Sequence, residues 1–344
     1  MMLRFRLFAT SAFALAIFST SLSTPRASDF YKDKALTILV GYSPGGVYDI
    51  QARIFSQHIG KSIHGEPKVI VQNMPGAGSL KAANYLYKIA PQDGTYIGSF
   101  ANGLITQQLF DPEGIQFDAQ RFKWIGSSMS ETNIVYAWHT TDFTSMADVQ
   151  AREMVVPGTG AGANSVTLPK IMNAVLGTKF RVVAGYPGAA ETMLAIERGE
   201  AQGHAGGTLT NLNASKPTWL AEGKVRILGQ ISLKKHPNLQ QTPLIIEMVT
   251  NQHDKAALHL MLAKQAVAFP LAAPPETPSD RLAVLRAAFV QTVNDSKFRA
   301  AATKFNIELD LTTGEEIETL VQSIFDSPPH VITRARALII SAQK

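Results

Sequence analysis

Glycine-rich turns are the part of this sequence with the clearest capacity for chemistry. They occupy residues 41–49, 75–79, 101–103, 158–165 and 186–188, and each lies beside a stretch with helical periodicity. A helix that begins at such a turn presents unpaired backbone N–H groups and the positive end of its dipole, so it attracts an anion without a cationic side chain. Glycine also lets the backbone approach a ligand closely. Several such turns facing one cleft therefore predict a binding site for a small anion.

Short apolar and β-branched runs precede these turns and predict strands. The predicted strands lie at residues 36–40, 68–72, 96–100, 154–156, 180–183 and 225–228. Strand, glycine turn and helix in succession indicate α/β units with parallel sheets, whose ligands bind beyond the carboxyl ends of the strands. After Pro270 the periodicity predicts four further helices, within residues 282–293, 297–305, 315–325 and 331–340.

The length of the chain and two extended crossings predict two lobes. At roughly 150 residues per domain, 344 residues suffice for two cores. Residues 122–138 are predicted to be extended chain that links two α/β units, and a second crossing is predicted near residues 229–233. The first domain is then discontinuous, with residues 29–127 and 233–344, and residues 128–232 form the second domain.

The first 27 residues have the pattern of a secretory signal peptide. Arg4 and Arg6 precede an apolar run of ~12 residues, and small residues lead to a cleavage site near Ala27. The alternative, a membrane anchor, needs ~20 apolar residues to span a bilayer. We therefore expect a periplasmic protein that does not itself span the membrane. Its net charge after cleavage would be +2 rather than +5, which gives no basis for nucleic-acid binding.

The composition excludes several kinds of site. The chain has no Cys, so a disulfide scaffold, a thiolate zinc site, an iron–sulfur cluster and a cysteine nucleophile are ruled out. The eight His residues form no H-E-x-x-H motif and no close cluster, so no metal site is predicted. No cofactor is predicted either.

Two catalytic or cofactor motifs match in letters but lack a required group. Gly41-Tyr42-Ser43-Pro44-Gly45 fits the nucleophile elbow G-x-S-x-G. That elbow needs the backbone N–H of the residue after the serine, and Pro44 has none. Residues 158–163 fit the dinucleotide fingerprint G-x-G-x-x-A, but no acidic residue stands at the end of the next predicted strand to hold a ribose.

Four side chains near the turns have two open roles each. Asp49, at the start of a predicted helix, either caps the helix and braces the loop or accepts a hydrogen bond from a ligand. Tyr48 either packs at the helix start or offers the ligand a flat wall with a hydroxyl tip. His139 and His204 lie near predicted strand ends that face the cleft, and each is either a ligand contact or a surface or core residue.

Longer motifs recur in order along the mature chain. They are KALTILVGYSPGG at residues 34–46 with Asp49 and Arg53, VQNMPGAG at 71–78, APQDG at 90–94, GTG at 158–160, YPGAA at 186–190 and RGE at 198–200. Together they resemble the substrate-binding proteins of tripartite tricarboxylate transporters, the Bug or TctC family. The resemblance implies a bilobal periplasmic-binding-protein fold, type II-like, with two α/β domains and a double-crossing hinge. It also implies a binding protein without enzymatic activity.

In that family a ligand carboxylate is held by backbone amides of the turns that correspond to residues 43–49 and 158–165, while the turns at 75–79 and 101–103 border the cleft. The candidate ligand-binding residues are Tyr42, Ser43, Gly45, Gly46, Tyr48, Asp49, Gly76, Ala77, Gly78, Ser79, Ala101, Asn102, Gly158, Thr159, Gly160, Ala163, Asn164, Ser165, Tyr186, Pro187 and His204. The chain departs from the family pattern at Ala201 and Gln202, where Val-Asp is usual, and around Asn164 and Ser165, where the family has a histidine. We therefore expect the second lobe to differ in specificity.

The sequence predicts a receptor that captures a small carboxylate in the interdomain cleft and delivers it to the membrane subunits of a tripartite tricarboxylate-type transporter. The ligand is expected to be a di- or tricarboxylate or an aromatic acid, with Tyr48, Trp138, Tyr186 and His204 as candidates for shaping specificity. Closure of a hinge over the ligand is the expected mechanism, and a monomer is expected. Two alternatives stay open: an exported serine hydrolase that uses Ser43, and a sensory binding protein that feeds a signalling receptor.

Overall fold

The computed structural model describes residues 30–160, 163–305 and 307–343. The strands are β1 (Ala35–Val40), β2 (Lys68–Asn73), β3 (Tyr96–Ser99), β4 (Lys123–Ser127), β5 (Asn133–Trp138), β6 (Met154–Gly158), β7 (Phe180–Ala184), β8 (Gly203–Thr208), β9 (Val225–Ile231), β10 (Pro270–Ala273) and β11 (Thr312–Thr313). The helices are α1 (Val47–His58), α2 (Leu80–Lys88), α3 (Gly103–Phe110), α4 (Met146–Ala151), α5 (Asn164–Leu176), α6 (Ala189–Glu197), α7 (Leu209–Ser215), α8 (Ile245–Met248), α9 (Gln252–Leu262), α10 (Ser279–Asn294), α11 (Ser296–Lys304), α12 (Gly314–Phe325) and α13 (Pro329–Gln343).

A six-stranded sheet carries the first group of glycine turns. Its strand order is β11-β4-β10-β3-β1-β2. Strands β1, β2 and β3 run parallel, as predicted, whereas β10 runs antiparallel to β3 and β4, and β11 antiparallel to β4. Five consecutive residues of β1 are buried, which suits a strand covered on both faces. Because β1, β2 and β3 are parallel, the turns that follow them meet at one edge of the sheet.

A second group of strands, between residues 133 and 231, forms two smaller sheets. One has the order β8-β5-β9 and the other pairs β6 with β7. The β6–β7 pair is parallel, but β5 is antiparallel to both of its neighbours. The expectation of parallel sheets therefore holds for the strand–turn–helix units and fails for the strands next to the chain crossings. A strand that enters a sheet from the other lobe is not joined to its neighbour by a crossover helix, which is the usual connection between parallel strands.

The chain returns to the large sheet later than the sequence predicts. Beyond β9 it stays beside the smaller sheet, because the fully buried Ile245 of α8 packs on Gly229, where a Cβ would lie 2.6 Å from the Ile245 Cδ1 atom. It rejoins the large sheet at β10, just after the backbone N–H of Ala268 donates to the carbonyl of Met129. The domain boundaries stay a prediction, and this packing favours a second crossing near residue 268.

Helix α13, at the end of the chain, packs against helices that follow strands of both groups. It contacts α3, which follows β3 of the large sheet, and α5, which follows β6 of the second group, as well as α9. Its Ala335 and Leu338 belong to the same buried apolar cluster as Leu168 and Ile171 of α5. The two groups of strands are therefore held together by apolar packing on this side.

The predicted signal peptide, residues 1–27, lies outside the described residues. In the part of the chain that the structure describes, no helix has both the length and the apolar character needed to cross a membrane.

Candidate functional site

Three glycine turns are tied together at the carboxyl edge of the large sheet. The backbone N–H of Gly41 donates to the carbonyl of Ser99 at 2.9 Å. The side-chain amide of Asn73, at the end of β2, donates to the carbonyl of Tyr42 at 2.9 Å. The N–H of Ala101 donates to Oγ of Ser79 at 2.7 Å. The structure thus brings together the predicted turns at 41–49, 75–79 and 101–103.

The turn at 75–79 lies very close to the backbone at the end of β1. A Cβ on Gly41 would lie 2.1 Å from Cβ of Ser79, so only glycine fits there. Ala77 and Ser79 have φ of 47° and 73°, in the left-handed region that non-glycine residues rarely adopt. The candidates Gly76 and Gly78 also have positive φ, which glycine accepts without strain. Such concentrated strain persists only where surrounding contacts fix it.

Asp49 braces the first turn. Its carboxylate accepts hydrogen bonds from the N–H of Gly45 at 2.8 Å, from Nε of Arg53 at 2.8 Å and from Nδ2 of Asn73 at 2.9 Å. Burial acts to raise its pKa, but the hydrogen bonds from Arg53, Gly45 and Asn73 outweigh it and lower the pKa to about 2. Of the two roles left open by the sequence, the geometry supports the brace. Because Arg53 balances the charge, Asp49 does not repel an anion at the turn.

The helices that begin at the glycine turns lack side-chain caps. Helices α1, α2, α3, α5 and α6 begin after Gly46, Ser79, Asn102, Ala163 and Gly188, none of which caps with its side chain. In contrast, α4, α7, α9, α11 and α12 are capped by the side chains of Ser145, Thr208, Asn251, Asp295 and Thr313. Helices α8 and α10 also begin uncapped, away from the turns. Among the described residues, the first two N–H groups of α1, α5 and α6 have no hydrogen-bond partner and therefore remain available to a ligand. At the starts of α2 and α3, in contrast, the N–H groups of Leu80 and Leu104 donate to backbone carbonyls of the preceding turns.

The turns of the second lobe also join one another. The N–H of Gly185 donates to the carbonyl of Thr159 at 2.9 Å, and that of Tyr186 to the carbonyl of Gly158 at 3.2 Å. Oγ of Ser165 accepts from the N–H of Thr159 at 3.2 Å. Of the remaining candidates here, Gly160 accepts from the N–H of Ala163, Asn164 begins α5, and Pro187 is exposed. Residues 161 and 162 lie outside the described part of this turn.

A cavity of about 130 Å³ lies between the lobes. Thr106 of α3 lines one wall and Asn164 of α5 another, so helices of both lobes border it, and Ile339 and Gln343 of α13 close a further side. Lys264 and Gln265, in the short 3-10 helix Ala263–Ala266, also line the cavity. This is the geometry expected of a site that a ligand shares with both lobes.

Tyr42 and Tyr48 pack on each other beside the first turn, with ring centroids 4.7 Å apart. The hydroxyl of Tyr48 donates to the carbonyl of Ala268 at 2.8 Å. Burial and the nearby charge of Glu131 raise the pKa of Tyr48 well above its usual value. Tyr48 therefore links α1 to the chain crossing, with its hydroxyl already engaged.

The structure places His204 in the core of the second lobe. Its ring is 7% exposed and stacks on Tyr136, with ring centroids 5.7 Å apart. Nδ1 accepts from the N–H of Gly207 at 3.2 Å. Burial lowers the pKa of His204 to about 4, so the ring is neutral at pH 7. Of the two roles open from the sequence, this geometry supports the satisfied core residue.

Trp138 and His139 lie away from the turns. Trp138 packs on Trp219, with ring centroids 4.8 Å apart, and His139 packs on Trp138. The exposed Ser43, the candidate nucleophile, has no hydrogen bond to a histidine among the described residues. In the same part of the chain, no group of three or more acidic or histidine side chains could hold a metal ion.

Sequence reasoning missed two charged residues, Glu131 and Lys264. Burial lowers the pKa of Lys264 and raises that of Glu131, while the attraction between the two charges opposes both shifts. The Nζ atom of Lys264 lies 3.9 Å from the position of a Cβ on Gly103, so the ammonium stands beside the start of α3. A signal was available, because Lys264 is the only Lys, Arg, Asp or Glu between Lys255 and Glu276. A lone charge in so apolar a run indicates a buried or paired group.

The chain is similar in sequence to two curated proteins, whereas no protein-family model matches it. The UPF0065 protein in the tcbD-tcbE intergenic region of Pseudomonas sp. (strain P51) is 25% identical over 240 residues, which cover 68% of either chain. The UPF0065 protein in the gbd 5' region of Cupriavidus necator is 24% identical over 310 residues, covering 87% of this chain and 86% of that protein.

Solved structures of solute-binding proteins share the fold. A TctC solute-binding protein from Polaromonas, without ligand, has a TM-score of 0.70 at 19% identity and covers 90% of this chain and 99% of its own. A Rhodopseudomonas palustris protein with adipate has a TM-score of 0.60 at 18% identity, covering 90% and 97%. MatC from the same organism, with bound malate, has a TM-score of 0.57 at 18% identity, covering 89% and 99%. The predicted bilobal α/β fold and the predicted resemblance to TctC proteins are therefore confirmed.

Proposed function

We propose that this chain is an extracytoplasmic solute-binding protein that captures a small carboxylate between its lobes. In this proposal it delivers the carboxylate to the membrane subunits of a tripartite tricarboxylate-type transporter. Residues 1–27 would direct export to the periplasm and be removed near Ala27. The protein would act by binding alone, without catalysis.

The observation that carries the proposal is the set of uncapped helix starts at the glycine turns. Five helices, from both groups of strands, begin there without a side-chain cap. Each start carries a partial positive charge, and those of α1, α5 and α6 also offer unpaired N–H donors, so together they favour an anion. A carboxylate, with two oxygens and about four acceptor sites, can take several of these donors at once.

Related proteins support a carboxylate as the ligand. The neighbour from Rhodopseudomonas palustris was solved with adipate and MatC with malate, and both ligands are dicarboxylates. The charge of the braced Asp49 is paired with Arg53, so it opposes such a ligand at the first turn less than a free carboxylate would. The cavity between Thr106 and Asn164 provides room between the lobes.

Because backbone N–H donors lie on both lobes, we expect the lobes to close over the ligand. A ligand that accepts from the starts of both α1 and α5 has more contacts in the closed arrangement, and it shifts the population by that difference in binding free energy. The chain crossings at β4–β5 and near Ala268 are the segments that would bend.

The test is a thermal-unfolding and calorimetric screen of the exported protein. The ligands are acetate, succinate, malate, adipate, citrate and benzoate, with the uncharged amide succinamide as control. A ligand present at 100 times its dissociation constant stabilises the folded state by ~2.7 kcal/mol, which is easily measured. We expect at least one carboxylate to bind and succinamide not to bind. If none of the acids binds, or if succinamide binds as well as succinate, the proposal is wrong.

A further inference from the structure

The two chain crossings run side by side as a short antiparallel pair between the lobes. The backbone N–H of Glu131 donates to the carbonyl of Gln265 at 2.8 Å, and that of Ala268 donates to the carbonyl of Met129 at 2.9 Å. The segment that joins β4 to β5 is thus bonded to the segment that leads into β10. Any rotation of one lobe against the other has to bend or twist this pair of segments.

Two of the glycine turns are bonded to the second of these segments. The hydroxyl of Tyr48, beside the first turn, donates to the carbonyl of Ala268 at 2.8 Å. The Nδ2 atom of Asn102, in the turn at 101–103, donates to the carbonyl of Lys264 at 3.1 Å. A change in the relative position of the crossings therefore displaces groups at the edge of the candidate site.

The two crossings carry opposite charges at this point. Glu131 is on the first crossing and Lys264 is on the second, and each attracts the other. The side chain of Asn102 also donates to the carboxylate of Glu131. The Nζ atom of Lys264 lies 3.9 Å from the position of a Cβ on Gly103, at the start of α3, where the partial positive charge of the helix repels a lone cation. The charge of Glu131 offsets that repulsion.

Stability alone is a poor reason for two charges in such a place. Burial raises the pKa of Glu131 and lowers that of Lys264, so both charged forms lose hydration there. Neutral residues in place of a buried pair often leave stability unchanged or raise it, whereas removal of one partner strands the other charge. Attraction between opposite charges weakens as they separate, so the pair favours one relative position of the crossings over others.

We infer that Glu131 and Lys264 hold the two crossings in one register and thereby fix the angle between the lobes in the ligand-free protein. In this role they are positioning residues, which act on the ligand through the turns and the hinge. The inference rests on the proposed function, because it assumes lobes that close over a ligand. Asn102 connects the two charges to the turn at 101–103.

The test measures the distance between the lobes by pulsed electron paramagnetic resonance without any ligand. The chain has no Cys, so Gln57→Cys on α1 and Ala174→Cys on α5 introduce the only two sites for spin labels, and both positions are exposed. Into this labelled protein we place Glu131→Gln, Lys264→Met, and both changes together.

A matched control removes a different pair of opposite charges. Glu153→Gln with Arg181→Met takes away an exposed ion pair whose two members both belong to the second group of strands. Thermal unfolding of every variant reports its stability.

We expect one narrow distance distribution in the labelled protein without further substitution. Both single variants and the double variant should broaden it at least about twofold, because more relative positions of the lobes become populated. The control should keep the original width. The double variant should be more stable than either single variant, since it leaves no unpaired buried charge. A distribution that stays broad while stability recovers is the signature of a positioning role.

A broad distribution before any substitution, or a narrow one in the double variant, would overturn the inference. If neither single variant folds, the double variant decides. Because these distances are measured without ligand, either of those results leaves the proposed function intact. Failure of every acid to bind in the calorimetric screen would instead refute the proposed function and, with it, the inference.

Discussion

Replacement of Asp49 by asparagine should destabilise the protein by about 2 kcal/mol at neutral pH. The structure lowers the pKa of Asp49 from 3.8 to about 2. At ~1.4 kcal/mol per pKa unit, this corresponds to about 2 kcal/mol of stabilisation of the charged form. Asparagine keeps the shape but presents an NH₂ group to donors from Gly45, Arg53 and Asn73. At least one of these donors then faces another donor.

The dependence on pH has a definite sign. Because the folded pKa of Asp49 lies below the unfolded one, its contribution is complete above about pH 4 and disappears as the pH falls through about 2. The difference in unfolding free energy between wild type and Asp49→Asn should therefore shrink to roughly half by pH 3.

Urea denaturation at pH 6 and pH 3, followed by circular dichroism, measures this difference. Asp111→Asn is the control, because Asp111 is exposed and its side chain makes no hydrogen bond within the described residues. The control should differ from wild type by less than ~0.5 kcal/mol. If Asp49→Asn is as stable as wild type at pH 6, or if its deficit does not change with pH, the brace does not have the role argued above.

Three further predictions concern single residues. Between pH 6.5 and pH 4, His204 should lower the unfolding free energy of the wild type by about 3 kcal/mol, because its folded pKa lies near 4 and the unfolded state takes up a proton first. His204→Leu should lack this part of the pH dependence, which urea titrations across that range measure. Gly41→Ala should cost about 1–3 kcal/mol in urea denaturation, because its Cβ would meet that of Ser79. Tyr48→Phe should cost about 1–2 kcal/mol in the same assay by leaving the carbonyl of Ala268 unpaired; an unchanged midpoint in either of these two variants would contradict the contact concerned.

Local pattern predicted the strand–turn–helix units well. The predicted strand at 68–72 is observed as β2, Lys68–Asn73, because an apolar β-branched run there ends in a Pro-Gly turn. Helix α1 begins at Val47, within the predicted turn at 41–49. Its start carries no capping residue that could have marked it. Because no capping side chain stands there, the sequence did not mark the start of α1. For the same reason the first N–H groups of α1 are free to bind a ligand.

The features that the sequence pattern did not predict depend on tertiary contacts. The packing of Ile245 on Gly229, which joins residues distant in sequence, favours a second crossing near Ala268 over the predicted one at residues 229–233. Whether Asp49 turns inward depends on Asn73, which lies 24 residues away. His204 is near a strand end in sequence, yet the direction of its side chain is set by the pairing of β8 with β5. Local periodicity holds no information on such pairings.

The central claim is that backbone amides at the helix starts hold the ligand carboxylate, and proline substitution at the first helical residue tests it most directly. Proline is well tolerated there and removes only an N–H that has no partner within the helix. Val47→Pro and Asn164→Pro alter α1 and α5, while Val47→Ala and Asn164→Ala change the same side chains and keep the N–H. Ser296→Pro makes the equivalent change in α11, whose cap Asp295 bonds to Lys297 and Phe298 instead.

The decisive measurement is the calorimetric affinity of these five variants and the wild type for adipate and malate. We predict that Val47→Pro and Asn164→Pro each weaken binding about tenfold or more. Val47→Ala and Ser296→Pro should bind within about threefold of wild type. Asn164→Ala, which keeps the N–H but loses a side chain that lines the cavity, should weaken binding less than Asn164→Pro does. Unchanged affinity in both Val47→Pro and Asn164→Pro, with the wild type binding normally, would contradict the account.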